Sequence, residues 1–337
     1  MKNKRKLIRN FILFIVLIAI TFYILFKDES ISVIFTILGS VKMQYVWIGI
    51  ACMVAYLICE AINIGRTLKA LNEKSTFLQN FKYALIGFFF SSITPAASGG
   101  QPMQIYYMYK DNINISNSTL ALLINLSSMQ IITIGFAFIS LCFNYQYLNK
   151  VLIICFIVGI TLNLSALALL LIGIFSKKMS KGLVNIAIKI MTFFKIKNVE
   201  QKNKKIEAEL LKYQESANYI KEHKIVIIKV IATTAIQFLF YYSISYWTYR
   251  AFGLNEKNIL EIITMQSVLF ATVSGIPSPG AVGVSEGAFT EIFRNVYSGT
   301  MMTSAVLLNR GINFYLFVLI SGVVVIVNQI KWKKVSV

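Results

Sequence analysis

The stretch SSITPAASGGQPMQ, Ser91–Gln104, holds two of the protein's four prolines, Pro95 and Pro102, on either side of the Gly99-Gly100 pair. Apolar sequence flanks it, YALIGFFF before (Tyr83–Phe90) and IYYMY after (Ile105–Tyr109). Proline removes a backbone donor and clashes with the preceding turn, and glycine permits conformations that other residues avoid. A helix entering this stretch therefore stops and restarts. Backbone left unpaired by such a break cannot face lipid, and it survives at membrane depth only inside protein or beside a wet cavity.

The surroundings make membrane depth the relevant setting. Of 337 residues 57% are hydrophobic and 14% charged, and several apolar runs reach the ~20 residues that cross a bilayer. The first, Phe11–Phe26, follows Lys2, Lys4, Arg5, Lys6 and Arg9; only Lys27-Asp28-Glu29-Ser30 comes after it, so it reads as an uncleaved anchor rather than a signal peptide. Full spans are expected at about 10–27, 44–63, 119–143, 151–175, 225–252 and 301–330.

Two further runs, 81–110 and 259–296, are interrupted near their middles. The second interruption, SGIPSPGAVGVSEGAF (Ser274–Phe289), carries the remaining prolines, Pro277 and Pro279. The net charge of +19 has its meaning in its distribution: with the N-terminus cytoplasmic, outer loops keep only Lys27, Lys42, Lys150 and Lys257. For the flanking basic loops to stay inside, 81–110 enters and leaves from the cytoplasm and 259–296 from the outer side.

The expected fold is thus an all-α polytopic membrane protein of about six full spans plus two broken, re-entrant helical hairpins, arranged as an inverted repeat. Residues 1–143 form the first repeat, with the inner hairpin, and 144–337 the second, with the outer one. Such repeats place substrate sites near the midplane between broken helices. Pro95-x-x-x-Gly99 echoes Pro279-x-x-x-Gly283, although kinks in ordinary continuous spans are the alternative. Between the repeats, 176–224 carries twelve lysines. Lys178, Lys181, Asn185, Lys189, Thr192 and Lys195 recur at helical spacing, suited to an inner-surface segment facing anionic headgroups. A solvated connector fits the same pattern.

Enzyme chemistry finds little footing. His223 is the lone histidine, Cys52, Cys59, Cys142 and Cys155 match no metal or redox spacing, and no phosphate loop is present. No metal, cofactor or nucleic-acid partner is expected. Ionisable residues at membrane depth remain, and these are usually functional. Glu286 opens the second leg of the outer hairpin, where it can couple a proton, and Arg310 lies nine residues into the last span, suited to a phosphate. A simple Arg310–Glu286 pair is the compatible alternative. Glu60 and Arg66 bracket the inner end of the second span, where snorkelling is easy. Asn125, Ser127, Ser128, Gln130, Gln237, Tyr241 and Tyr242 either line the same cavity or bond between helices.

ITPAASGGQPMQIYY (Ile93–Tyr107), PSPGAVGVSEGAF (Pro277–Phe289) and LLNRGINFYL (Leu307–Leu316), in this order, resemble the flippase-like family of the lysylphosphatidylglycerol synthase transmembrane region. Ala281 and Val284 depart from its glycine-rich variants. The resemblance implies a multi-pass protein of a bacterial plasma membrane, both termini cytoplasmic, that moves an aminoacylated phosphatidylglycerol or other anionic or zwitterionic phospholipid. Its partners are then the lipid, a bilayer with an anionic inner leaflet and a lipid-synthesising enzyme. The substrate-binding residues expected from the breaks and the charges at membrane depth are Ser98, Gly99, Gly100, Gln101, Gly280, Gly283, Ser285, Glu286 and Arg310, with Pro95, Pro102, Pro277 and Pro279 as backbone breaks. The alternative is a phosphatidylglycerol lysyltransferase, conferring cationic peptide resistance, or its accessory subunit. The C-terminal aminoacyltransferase part of the two-part proteins would need several hundred residues beyond Val337, so the transport half alone is expected.

Overall fold

A computed structural model describes residues 16, 19, 23, 31–144, 150–178, 181–182, 199–276 and 278–335. The first expected span lies outside these residues apart from helical Val16, Ala19 and Tyr23. So do Pro277 and most of the basic surface segment, including Asn185, Lys189, Thr192 and Lys195.

The chain is a polytopic helical membrane protein, and no strand occurs among the described residues. In order come α1 (Ile31–Gly39), α2 (Met43–Ala70), α3 (Phe77–Ser92), α4 (Gly100–Lys110), α5 (Ile115–Asn144), α6 (Lys150–Phe175), α7 (Val199–Glu222), α8 (Lys224–Ala251), α9 (Ile259–Val273), α10 (Val284–Ile292), α11 (Gly299–Arg310) and α12 (Leu316–Val335). Five helices, among the described residues, are long and apolar enough to cross a membrane: Met43–Ala70, Ile115–Phe143, Leu152–Phe175, Lys224–Ala251 and Gly299–Ile330. The last is α11 and α12 joined by one π turn, Gly311–Tyr315, in which the Leu316 amide reaches back to the Gly311 carbonyl.

The antiparallel pair α2–α8 forms the axis of the bundle. At one end the Lys42 amide donates to the Ala251 carbonyl (2.8 Å). Further along, buried Asn63 donates to Thr234 Oγ1 (3.0 Å) and Arg66 Nη1 to Thr233 Oγ1 (2.7 Å). Arg66 is thereby drawn into the helix pair rather than snorkelling outward. α2 also runs seven residues past its expected end, because no breaker precedes Leu71-Asn72, where Asn72 turns left-handed (φ 59°).

Both interrupted runs fold back on themselves. The legs of the first, α3 and α4, lie side by side: Gln104 Nε2 donates to the Tyr83 carbonyl (3.1 Å), and Asp111 accepts from Tyr83 OH and Lys82 Nζ at the open end. The second, α9 and α10, closes over Phe289, Ile292, Phe293 and Tyr297. Lys257, just before α9, donates its amide to Tyr249 OH (2.9 Å), near the α8 end that meets Lys42. The first hairpin opens at the other end of the α2–α8 axis, where Asn117 contacts Leu71 and Glu73. The two hairpins therefore reach in from opposite ends, and their tips pack on each other.

The tips share a backbone. Thr94 and Ser278 are extended, Pro95 and Pro279 open single 3₁₀ turns, and Ala96, Ala97, Gly280 and Ala281 follow in left-handed conformations (φ 51°, 53°, 59° and 53°). Three of those four are alanines, for which this region is strained. Pro102 does not mark the tip's far edge; it sits in the first turn of α4, where its missing N–H leaves no bond unmade.

Gly100 sets the spacing of the first hairpin's legs. A Cβ there would lie 2.1 Å from Ser91 Oγ and 3.0 Å from the Gly87 carbonyl oxygen. Overpacking of this kind costs about 1–3 kcal/mol. Gly100→Ala is accordingly expected to lower the thermal midpoint of detergent-purified protein. Gly135→Ala, where a Cβ meets nothing within 4 Å, is expected to match or exceed the wild type.

Candidate functional site

The tips border a partly open cavity of about 220 Å³. Ser91, Ser92, Ala96 and Ala97 contribute from the first hairpin, Ser278, Gly280, Ala281 and Ser285 from the second, and Tyr241, Arg310 and Phe314 from the spans between. Among the residues expected from sequence, Gly280, Ser285 and Arg310 line it. Ser98, Gly99, Gly100 and Gln101 do not.

The glycine pair has a different role. The Gly99 amide donates to Thr94 Oγ1 (2.9 Å), whose hydroxyl donates in turn to the Phe90 carbonyl (2.6 Å), so Thr94 ties the restart of the helix to its interruption. Gly100 is buried between the legs. Gly283 supplies the φ of 84° that turns the chain into α10 and is exposed.

Arg310 and Glu286 meet as a buried pair, with side chains 8% and 2% exposed and Nε donating to Oε1 at 2.8 Å. The carboxylate also accepts the Gly283 amide (2.7 Å) and Tyr315 OH (3.2 Å). Its position in the first turn of α10 puts it at the positive end of that helix dipole. The guanidinium donates through Nη2 to the Gly280 carbonyl (3.0 Å) and lies 4.2 Å above the centre of the Phe314 ring. Arg310 borders the cavity and Glu286 does not, so the pair presents its positive side to that space. Glu286 is engaged by three donors, two on Oε1 and one on Oε2.

Several neighbours escape a sequence reading. Asn313 Nδ2 donates to Asn309 Oδ1 (2.6 Å), Asn309 Nδ2 to Ser245 Oγ (2.8 Å) and Ser245 Oγ to Gln266 Oε1 (2.8 Å). This buried relay fixes the π turn to α8 and α9. Its one sequence signal is the i, i+4 spacing of the two asparagines in LNRGIN. Of the polar span residues considered, only Tyr241 reaches the cavity; Ser127 and Ser128 return their hydroxyls to Leu123 and Ile124 of their own helix. Glu60, expected to snorkel, faces the side-chain amide of Gln104 on the first hairpin.

Broken helices whose tips border a charged cavity inside a bundle of spans define a class of membrane protein with an internal polar site. The chain belongs to the lysylphosphatidylglycerol synthase transmembrane region family, whose pattern matches residues 11–321. No curated protein is significantly similar to it.

Removing one partner of a buried pair strands the other and costs about 3–5 kcal/mol, whereas replacing both with apolar residues is often near neutral. Glu286→Leu and Arg310→Met are each expected to lower the thermal midpoint markedly. The double variant is expected to recover most of the loss, as read by differential scanning fluorimetry in detergent.

Proposed function

We propose that the protein is a lipid translocase: it moves a phospholipid, such as aminoacylated phosphatidylglycerol or another anionic or zwitterionic lipid, across the membrane by alternating access. The observation that carries this reading is Arg310 at the edge of a cavity lined by two opposed hairpin tips. A guanidinium offers a planar fork of donors that matches phosphate oxygens. Ser285 and Tyr241 add neutral polar contacts. In this reading the headgroup sits between the tips, and opening of one hairpin or the other exposes it to one leaflet at a time.

The same local backbone at Pro95–Ala97 and Pro279–Ala281 supports two repeats of opposite orientation, as does approach of the hairpins from opposite ends of the α2–α8 pair. The family's name joins it to lysylphosphatidylglycerol synthesis. A bacterial plasma membrane with both termini inside belongs to the same proposal.

Reconstituted in proteoliposomes, the wild type is expected to move a headgroup-labelled phospholipid between leaflets. Arg310→Lys keeps the charge and loses the fork, and is expected to slow transport about tenfold or more. Wild-type rates in that variant, in protein that elutes as a single species, would remove Arg310 from the site. The exposed positions Tyr109 and Asn295 test the orientation: single cysteines there are expected to react with impermeant maleimide from opposite sides of the membrane.

A further inference from the structure

A second charged recess lies apart from the central cavity, where α2 ends and α3 begins. It has a volume of about 810 Å³ and is walled by residues from Ala61 to Asn80. Arg66, Lys69 and Lys74 bring three positive charges to it. Glu73 is the one carboxylate in the wall among the described residues, and its Oε1 is occupied by the Asn117 amide (2.7 Å) and the Asn114 backbone amide (3.4 Å). Lys69 and Lys74 enter no ion pair among the described residues. Three cations against one carboxylate leave the recess a net charge of about +2.

Two observations point to a ligand. The 16-residue helix α3 begins here, with Thr76 Oγ1 accepting only the Gln79 amide, so the positive end of the helix faces the recess. Asn80, 4% exposed and in the wall, has a buried Oδ1 without a hydrogen-bond partner. A buried acceptor left unpaired is costly, and a hydroxyl or ammonium donor entering the recess would satisfy it. Beside these polar groups stand exposed apolar side chains: Ile62 (38%), Phe77 (49%) and Leu78 (76%). Cations for a phosphate, an acceptor for a neighbouring donor and an apolar flank form the outline of one amphiphile.

We infer that this recess docks the headgroup of an anionic phospholipid, its phosphate against Lys69, Lys74 and the start of α3, its hydroxyl toward Asn80 and its acyl chains along Ile62 and Phe77. The inference deepens the proposed function by giving the lipid a waiting place at one leaflet, beside the first hairpin. It does not depend on transport.

A benzoylphenylalanine at Phe77, in nanodiscs of equal phosphatidylglycerol and phosphatidylcholine, tests it, with cross-linked lipid identified by mass spectrometry. Phosphatidylglycerol is expected to predominate severalfold. Lys69→Gln with Lys74→Gln is expected to bring the ratio to that of the bilayer, and Lys69→Arg with Lys74→Arg to preserve it, which separates charge from misfolding. Equal cross-linking of the two lipids in the wild type, or a preference that survives loss of both lysines, overturns the inference. So does loss of cross-linking in inorganic phosphate but not in chloride of equal ionic strength, which would assign the recess to free phosphate. Arg310→Lys is expected to keep the preference whatever its transport rate, so failure here and failure of the translocase reading are told apart.

Discussion

Two turns held by short 3₁₀ hydrogen bonds instead of a full helical ladder pack against each other between the spans, and the rest of the structure is arranged to make that contact tenable. Lipid offers nothing to an open backbone amide or carbonyl. Each tip therefore depends on nearby protein groups: Thr94 bridges Phe90 and Gly99 on one side, while Arg310 takes the Gly280 carbonyl on the other. The hairpins come from opposite ends, so their lengths set where the tips meet. The long α2–α8 pair, tied at both ends, holds the distance over which they meet.

The buried ion pair follows from this geometry. An arginine at such depth is tolerable because the Glu286 carboxylate is anchored from behind by an amide and a phenol. The pair is asymmetric in its surroundings: the anion is held by three donors and the cation borders open space. A site of this kind offers positive potential while the protein as a whole bears no net buried charge there, the condition under which a guanidinium can remain in a poorly polar interior.

The sequence made some of this readable and concealed the rest for identifiable reasons. Both interruptions were visible because proline and glycine act on the backbone itself, whatever surrounds them. Arg310 and Glu286 stood out because charge is rare within spans. The roles of Gly99 and Gly100 were not legible: a missing Cβ marks a close approach without saying to what, and here the neighbour is the other leg rather than a ligand. Asn309, Ser245 and Gln266 form their relay across three helices, and no local pattern joins residues so far apart in the chain. The recess at Asn80 likewise comes from the crossing of two helix ends. Arg66, placed where snorkelling was easy, is instead held by a threonine on the neighbouring span, a contact that no local pattern announces.

The π turn after Arg310 has a geometric corollary. It closes with one residue more than an α-turn, and one residue amounts to about 100° around a helix axis. The last span is accordingly two helices in different phase on a common line. Its first part aims Asn309 and Arg310 at α8 and the second hairpin, while its second part lays Gly322 against Phe89 of the first. An uninterrupted α-helix of the same sequence could present one of these faces correctly but would rotate the other away. The surplus residue thus works as a fixed angular offset, through which a single rod keeps contact with two elements that approach it from different directions.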